Sequence, residues 1–254
     1  MSLKYSPILR DKTTEDIYSR ELQPIGEEYS EFGMRIPDLK KFCLSITELS
    51  YFLSLTLQGN LVDDEMIKWL VPGLIANQTL RYLDLSSNKI SEKGVINLSS
   101  YLVRTRSLLS LDLSNNLIGN EASFALGLVL KENTRLRILK LAMNRLDDEN
   151  GARIIKMIAK NKYLEELDMS TNNLGENVVE ATNEALKFNN VLKTLNLSYS
   201  DVILRDETVK IAELHPALIF LEIKNTKTKD EIIYDLEKKL TRKKIKIEYG
   251  SKIR

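Results

Sequence analysis

Residues 82–90 read YLDLSSNKI and residues 110–118 read SLDLSNNLI. The frame returns as ILKLAMNRL at 138–146 and ELDMSTNNL at 166–174. In each stretch two apolar residues alternate with polar ones, as in a strand with one buried face. An asparagine follows, then another apolar residue. An earlier copy carries Phe52, Leu55, Leu57, Asn60 and Val62, so Asn60, Asn88, Asn116, Asn144 and Asn172 stand 28 residues apart. The sixth copy, TLNLSYSDV at 194–202, keeps the phase but has Ser200 in the asparagine's place. The seventh, with Leu218, Leu221, Ile223 and Thr226, slips to a spacing of 26.

After each asparagine the apolar spacing changes to helical steps. Met66, Leu70 and Leu74 are four apart, as are Ile154 and Ile158. A strand followed by a helix at a fixed 28-residue period is a leucine-rich repeat and resembles the ribonuclease-inhibitor type. The expected fold is α/β, a horseshoe solenoid with a parallel sheet on the concave side and helices on the convex side. Leu74, Leu102, Leu130, Ile158, Leu186 and Leu214 are expected to stack as one buried row.

The five asparagines predict a structural ladder. A buried amide offers two donors and an acceptor, enough for the turn of its own coil and of the adjacent one. Ser200 and Thr226 carry one hydroxyl each and cannot bridge as widely, so the ladder is expected to stop as the array closes. Asp63, Asp64, Glu65 and Asp147, Asp148, Glu149 fall at helix starts, where carboxylates cap free N–H groups. Asn77, Asn133, Asn161 and Asn189 fall at helix ends, where left-handed backbone is expected. Pro72 predicts a kink or a loosened last turn, and Trp69 is expected in the core.

Three segments follow: an extended arm at 1–24, the array at 25–228 with degenerate first and last coils, and a basic cap at 229–254. In the cap DEIIYDLEKKL predicts a helix with Ile232, Ile233, Leu236 and Leu240 inward, and KIKIEY predicts a strand. DLKKFCLSI at 38–46 reads as the helix of a degenerate coil, with Cys43 in its core.

The formal net charge is +1, yet residues 238–254 hold six Lys, two Arg and one Glu. Lys238, Lys239, Arg242, Lys243, Lys244 and Lys246 are therefore a candidate contact for an acidic surface. On the strands, Thr56, Asp84, Asp112, Lys140, Asp168, Asn196 and Glu222 form one outward column. Ser54, Tyr82, Ser110, Ile138, Glu166, Thr194 and Phe220 form the other. Tyr82, Asp84, Asp112, Ile138, Lys140, Glu166, Asp168, Phe220 and Glu222 are the candidate protein-binding face, suited to a basic segment. Exchanging Asp112 for Lys is expected to leave melting nearly unchanged.

Catalytic chemistry has no constellation to rest on. The one histidine, His215, precedes Pro216 and reads as a turn residue. No metal, cofactor or small-molecule substrate is expected, and no nucleic acid, since no aromatic platform interleaves with the charge. No apolar run approaches a membrane span. One cysteine and no signal-like N-terminus suit a reducing cytoplasm.

Four irregular stretches occur in order: EFGMRIPDLKKFC, LVDDEMIKWLVPGL, NRLDDENGARIIKMIAKNKYL and LNLSYSDV. Their succession, over roughly residues 25–215, resembles the family of dynein regulatory complex subunit 5, also called T-complex-associated testis-expressed protein 1. The resemblance implies a non-enzymatic scaffold of the ciliary or flagellar axoneme, a cytoskeletal nexin link between doublet microtubules that regulates dynein. Its partners would be other regulatory-complex subunits, tubulin or inner dynein arm components. The alternatives are a GTPase-activating protein of the Ran type, which uses the same repeat, and a generic cytosolic interaction module.

Overall fold

A computed structural model describes residues 53–241 and 246–248, together with Lys41. The arm at 1–24, the 38–46 segment with Cys43, Phe52 and Arg242 to Lys244 lie outside the described residues. Each leucine pair that alternates with polar residues forms a three-residue strand: β1 (Ser54–Thr56), β2 (Tyr82–Asp84), β3 (Ser110–Asp112), β4 (Ile138–Lys140), β5 (Glu166–Asp168), β6 (Thr194–Asn196), β7 (Phe220–Glu222) and β8 (Lys246–Glu248). The helical spacings give α1 (Asp64–Ala76), α2 (Glu92–Arg104), α3 (Ala122–Glu132), α4 (Asp148–Ile158), α5 (Glu176–Phe188), α6 (Asp206–Leu214) and α7 (Asp230–Thr241).

The strands lie side by side in chain order, all parallel, with residue n of one coil opposite n+28 of the next through β6. From β6 to β8 the offset is 26, as in Leu195 opposite Leu221. Parallel neighbours need a crossover, and each helix supplies one. Strands pack about 4.8 Å apart and helices about 8–10 Å apart. The stack must therefore bend with its sheet on the inside.

Leu80, Leu83, Leu85 and Ile90 and their counterparts in later coils fill the space between sheet and helices. Each buried leucine contributes about 2 kcal/mol. The helix row behind them, Leu74, Leu102, Leu130, Ile158 and Leu186, is buried as well. Leu214 is not: it is 79% exposed, and Ala212 takes the place in the row. The loss of two residues falls between the in-phase Val202 and the buried Thr208, so α6 starts late and its tail is out of phase with the stack. Trp69 departs from expectation in the same way, at 41% exposed, because Ile67, Leu70 and Leu74 already fill that side of α1. Helix α1 runs through Pro72 to Ala76, and the Asn77 N–H reaches Gly73 O at 3.0 Å. Ile232 and Ile233 of α7 pack partly against the core and Leu236 is fully buried there; the side chain of Leu240 lies outside the described residues.

Asparagines hold the turns after the strands. Asn88 Oδ1 accepts from the N–H groups of Asn60 and Val62 in the preceding coil, at 3.0 and 2.9 Å. Its amide nitrogen donates back to Leu57 O at 2.9 Å and, at home, to Leu85 O and Ser86 O at 2.9 and 3.0 Å. Asn116, Asn144 and Asn172 repeat this, donating to Leu85, Leu113 and Leu141 O at 2.9, 3.0 and 2.9 Å. They accept from the N–H groups of Ile90, Ile118 and Leu146 at 3.0, 3.0 and 3.2 Å. Ser200 Oγ reaches only Leu197 O of its own coil, at 2.5 Å. Thr226 likewise donates to its own Ile223 O, at 3.2 Å.

The residue before each ladder position has positive φ, from Gly59 at 69° through Met143, Thr171 and Tyr199 at 54°, 54° and 55°. That conformation suits Gly59 and strains a β-branched Thr171.

The helix-end asparagines do something other than adopt left-handed backbone. Asn77, Asn133 and Asn189 are extended, with φ of −78°, −75° and −78°. They form a second ladder. The Oδ1 of Asn133 accepts from the N–H groups of Arg135 and Leu136 at 2.8 and 2.7 Å, and Nδ2 donates to Leu102 O one coil back at 2.5 Å. Asn161 and Asn189 reach back to Leu130 O and Ile158 O at 2.6 and 2.8 Å. In the second coil Thr105 holds the position: its Oγ1 accepts from the N–H groups of Ser107 and Leu108, both at 3.4 Å, and donates to the buried Tyr101 hydroxyl, whose pKa burial pushes up to about 12. In the sixth coil His215 Nδ1 accepts from the N–H groups of Ala217 and Leu218 at 3.2 and 2.9 Å.

Candidate partner-binding face

Inward leucines fix the outward residues of each strand, so the register brings the two columns together. Asp84 lies opposite Asp112, Asp112 opposite Lys140, and Lys140 opposite Asp168. In the neighbouring column Tyr82, Ile138 and Glu166 fall in line, with Phe220 further along and paired with Lys246 of β8. Tyr82 is the most exposed apolar residue on this face at 37%; Ile138, Lys140, Glu166, Asp168, Phe220 and Glu222 are half-buried.

The aspartates do local work too. One oxygen of Asp84, Asp112 and Asp168 accepts the N–H of Ser86, Ser114 and Ser170 at 2.8, 2.9 and 2.9 Å. Asn196 does the same for Ser198 at 3.0 Å. An Asp112 exchange to Lys therefore removes a turn bond, at about 1 kcal/mol, rather than leaving melting untouched. The second oxygen of each carboxylate is left for other use. Among the described residues Asp84, Asp112, Lys140, Glu166 and Asp168 enter no salt bridge, whereas Glu222 lies 3.8 Å from Lys224. The adjacent carboxylates of Asp84 and Asp112 on neighbouring strands repel, and Lys140 is the cation that lies opposite Asp112 on the other side.

The expected basic contact is divided between elements. Lys238 and Lys239 sit on α7 and Lys246 on β8. Lys239 Nζ pairs with Asp235 at 2.7 Å, and the hydrogen bond from that carboxylate raises its pKa.

The acidic helix starts are used for capping, partly in a way the sequence did not suggest. Asp63 and Asp147 cap their own helices, accepting from the N–H groups of Met66 and Asn150 at 3.0 and 2.9 Å. Asp64 and Asp148 cap the helix of the next coil. Asp64 Oδ1 accepts from the N–H groups of Ser91 and Gly94 at 2.8 and 2.9 Å. Asp148 Oδ1 accepts from those of Gly175 and Val178 at 2.7 and 2.9 Å, and Oδ2 from Asn177 at 2.9 Å. Helix α5, whose own N-cap Gly175 has no side chain to offer, is thus capped by its neighbour. A Cβ on Gly94 would sit 2.5 Å from Asp64 Oδ1 and 2.6 Å from Ile90 Cγ2, so glycine is what lets the carboxylate in.

Among the described residues no three His, Cys, Asp or Glu side chains converge as metal ligands would. No helix there is long and apolar enough to cross a membrane. His215 is buried and directs Nδ1 at two backbone amides, which places that nitrogen in the turn.

Residues 76–99, 105–127 and 160–177 match the Leucine Rich repeat family. No curated protein matches the chain. Among solved structures, leiomodin-1 actin-binding site 2 aligns with 60% of this chain and 91% of its own, at 14% identity and a TM-score of 0.51. An internalin, InlF, from Listeria monocytogenes aligns with 82% of this chain at 17% identity and a TM-score of 0.50. The chain spans 57% of that internalin structure. At such identities the likeness concerns the fold. With its eight parallel strands, alternating helices, turn asparagines and repeat matches, this chain is a leucine-rich-repeat protein.

Proposed function

We propose that the array is a scaffold of the ciliary axoneme, in or beside the nexin–dynein regulatory complex, and acts through protein–protein contacts. Leucine-rich repeats serve as protein-interaction modules, and fold alone does not choose the partner. The axonemal placement rests on the four irregular stretches that resemble the regulatory-complex subunit 5 family. The observation that carries the scaffold reading is the concave face. Asp84, Asp112, Glu166 and Asp168 surround Ile138 and Lys140 and enter no salt bridge among the described residues, so four carboxylates face one cation, and a partner with basic and apolar side chains suits that surplus.

The test is a neighbour map by cross-linking in intact cilia, followed by detergent extraction. The tagged chain should remain with the axoneme and cross-link to regulatory-complex, inner-arm or tubulin subunits. Its release with membrane and matrix overturns the placement. Faster GTP hydrolysis by a small GTPase would instead favour the GTPase-activating alternative. Co-sedimentation with actin would instead favour an actin-binding role like that of the leiomodin-1 site.

A further inference from the structure

The two rims of the solenoid carry opposite charge. The six helix-to-strand turns (76–81, 104–109, 131–137, 159–165, 187–193 and 213–219) contain ten Lys or Arg and three Glu, net +7. The six strand-to-helix turns (58–66, 86–93, 114–121, 142–149, 170–177 and 198–207) contain twelve Asp or Glu and four Lys or Arg, net −8. A chain of net charge +1 is thus strongly polarised across its width.

Helix dipoles explain part of this. Arg104, Lys131 and Lys187 lie in last helical turns, where cations are favoured. Arg81, Arg106, Arg135, Lys160 and Lys162 lie beyond the helix ends, where the dipole effect fades. Four cations of the rim are neutralised: Lys131 by Glu132, Arg137 and Lys193 by Glu165, and Lys187 by Glu207. Arg81, Arg104, Arg106, Arg135, Lys160 and Lys162 are exposed and enter no salt bridge among the described residues. Arg106 donates only to Thr134 Oγ1, at 3.5 Å.

We infer that this basic rim is a second binding surface, distinct from the concave face, for an extended acidic polypeptide segment. Its geometry fits such a chain. The rim lies between the sheet, where coils are about 4.8 Å apart, and the helices, where they are about 8–10 Å apart. Coil spacing at the rim is therefore about 7 Å. An extended peptide with carboxylates on alternate residues presents one about every 7 Å. Guanidinium groups bind such carboxylates in two-pronged fashion.

A duplex nucleic acid, far wider than the rim, would overlie the concave carboxylates. A single strand gains most from bases stacked on aromatic rings; the ring of Tyr163 is already covered by the Arg137 guanidinium at 5.4 Å, which leaves Phe188 as the rim's one open ring, too little for a run of stacked bases. The surface does not depend on the axonemal placement.

The experiment titrates the full chain against a fluorescein-labelled alternating Glu–Ser peptide at 50 mM salt, by anisotropy. Oligo-dT and phosphatidylserine vesicles serve as competing probes. The triple variant Arg106→Glu, Arg135→Glu, Lys162→Glu should weaken peptide binding at least tenfold. The triple Lys89→Glu, Lys93→Glu, Lys156→Glu, with the same net charge, should change it less than threefold. Arg106→Gln and Lys162→Gln singly should each weaken it about twofold, which guards against a folding defect in the triple. Binding should fall several-fold at 200 mM salt. Absence of peptide binding, equal losses in both triples, or tighter binding to oligo-dT or vesicles overturns the inference. The axonemal reading would survive each of these outcomes, since it is decided by the cilia cross-links.

Discussion

From Asn88 to Asn172 each turn is held by an amide that serves two coils; from Ser200 onward a hydroxyl serves one. Both regions have parallel three-residue strands with buried apolar residues at matching positions, although the offset falls from 28 to 26 after β6, so apolar burial does not distinguish them. The difference lies in backbone polar groups. Ile90, Ile118 and Leu146 give their N–H to the next coil's asparagine, while Ser200 offers the preceding coil no such acceptor. The C-terminal coils use other devices. The Thr228 hydroxyl accepts from Leu204 N–H at 3.1 Å, and α7 covers the end of the core.

Breaking the comparison starts with Asn116→Ala. It strands the Ile90 amide and removes donors from three carbonyls, at about 3 kcal/mol, read by chemical denaturation. Thr226→Ala in the last coil should cost about 1 kcal/mol or less; equal losses would mean the amide ladder is not what separates the regions. Next comes Gly94→Ala, which evicts Asp64 from the start of α2, at about 2 kcal/mol. A fall confined to about 0.5 kcal/mol would show the cap to be dispensable. Asp148→Ala leaves α5 without its borrowed cap and should cost about 1–2 kcal/mol, with earlier amide exchange in residues 176–179.

Sharpening it calls for the reverse. Ser200→Asn restores the bridging amide and should stabilise by about 1 kcal/mol, a rise of a few degrees in Tm. No gain would show that the sixth coil has closed the gap in another way. His215→Asn puts the residue of four other coils in the helix-end row. It should shift stability by about 0.5 kcal/mol or less, whereas His215→Ala loses the acceptor for two amides and melts earlier.

Much of this fold was legible because its signals repeat. Leu83 and Leu85 say little alone, but the same pair every 28 residues defines a parallel sheet, its register and the outward columns. What could not be read was contact between coils through side chains that look local. Asp64 sits in a helix start and appears to cap it, yet it caps the next helix, because stacking brings the Gly94 amide nearer. Asn133 reads as a left-handed stop and is an extended bridge to Leu102 O of the coil before it. Leu214 matched the 28-residue count, but the deletion before Thr208 had already shifted the phase. The basic rim was hidden for a related reason: its cations are scattered along the chain, at most three per turn, and only the stack lines them up beside one another.

The amide and carboxylate bridges that span 26 to 31 residues have a mechanical consequence. A load applied to the C-terminal end meets the coils one at a time, and each must release its grip on its predecessor before the next feels tension. The first to give way are those without an amide clasp, after which resistance rises at Asn172. Each release pays out 26 residues in the last coils and 28 in the earlier ones, roughly 90 Å of extended chain. A strut of this design yields from one end in nearly equal steps and hardens as it yields.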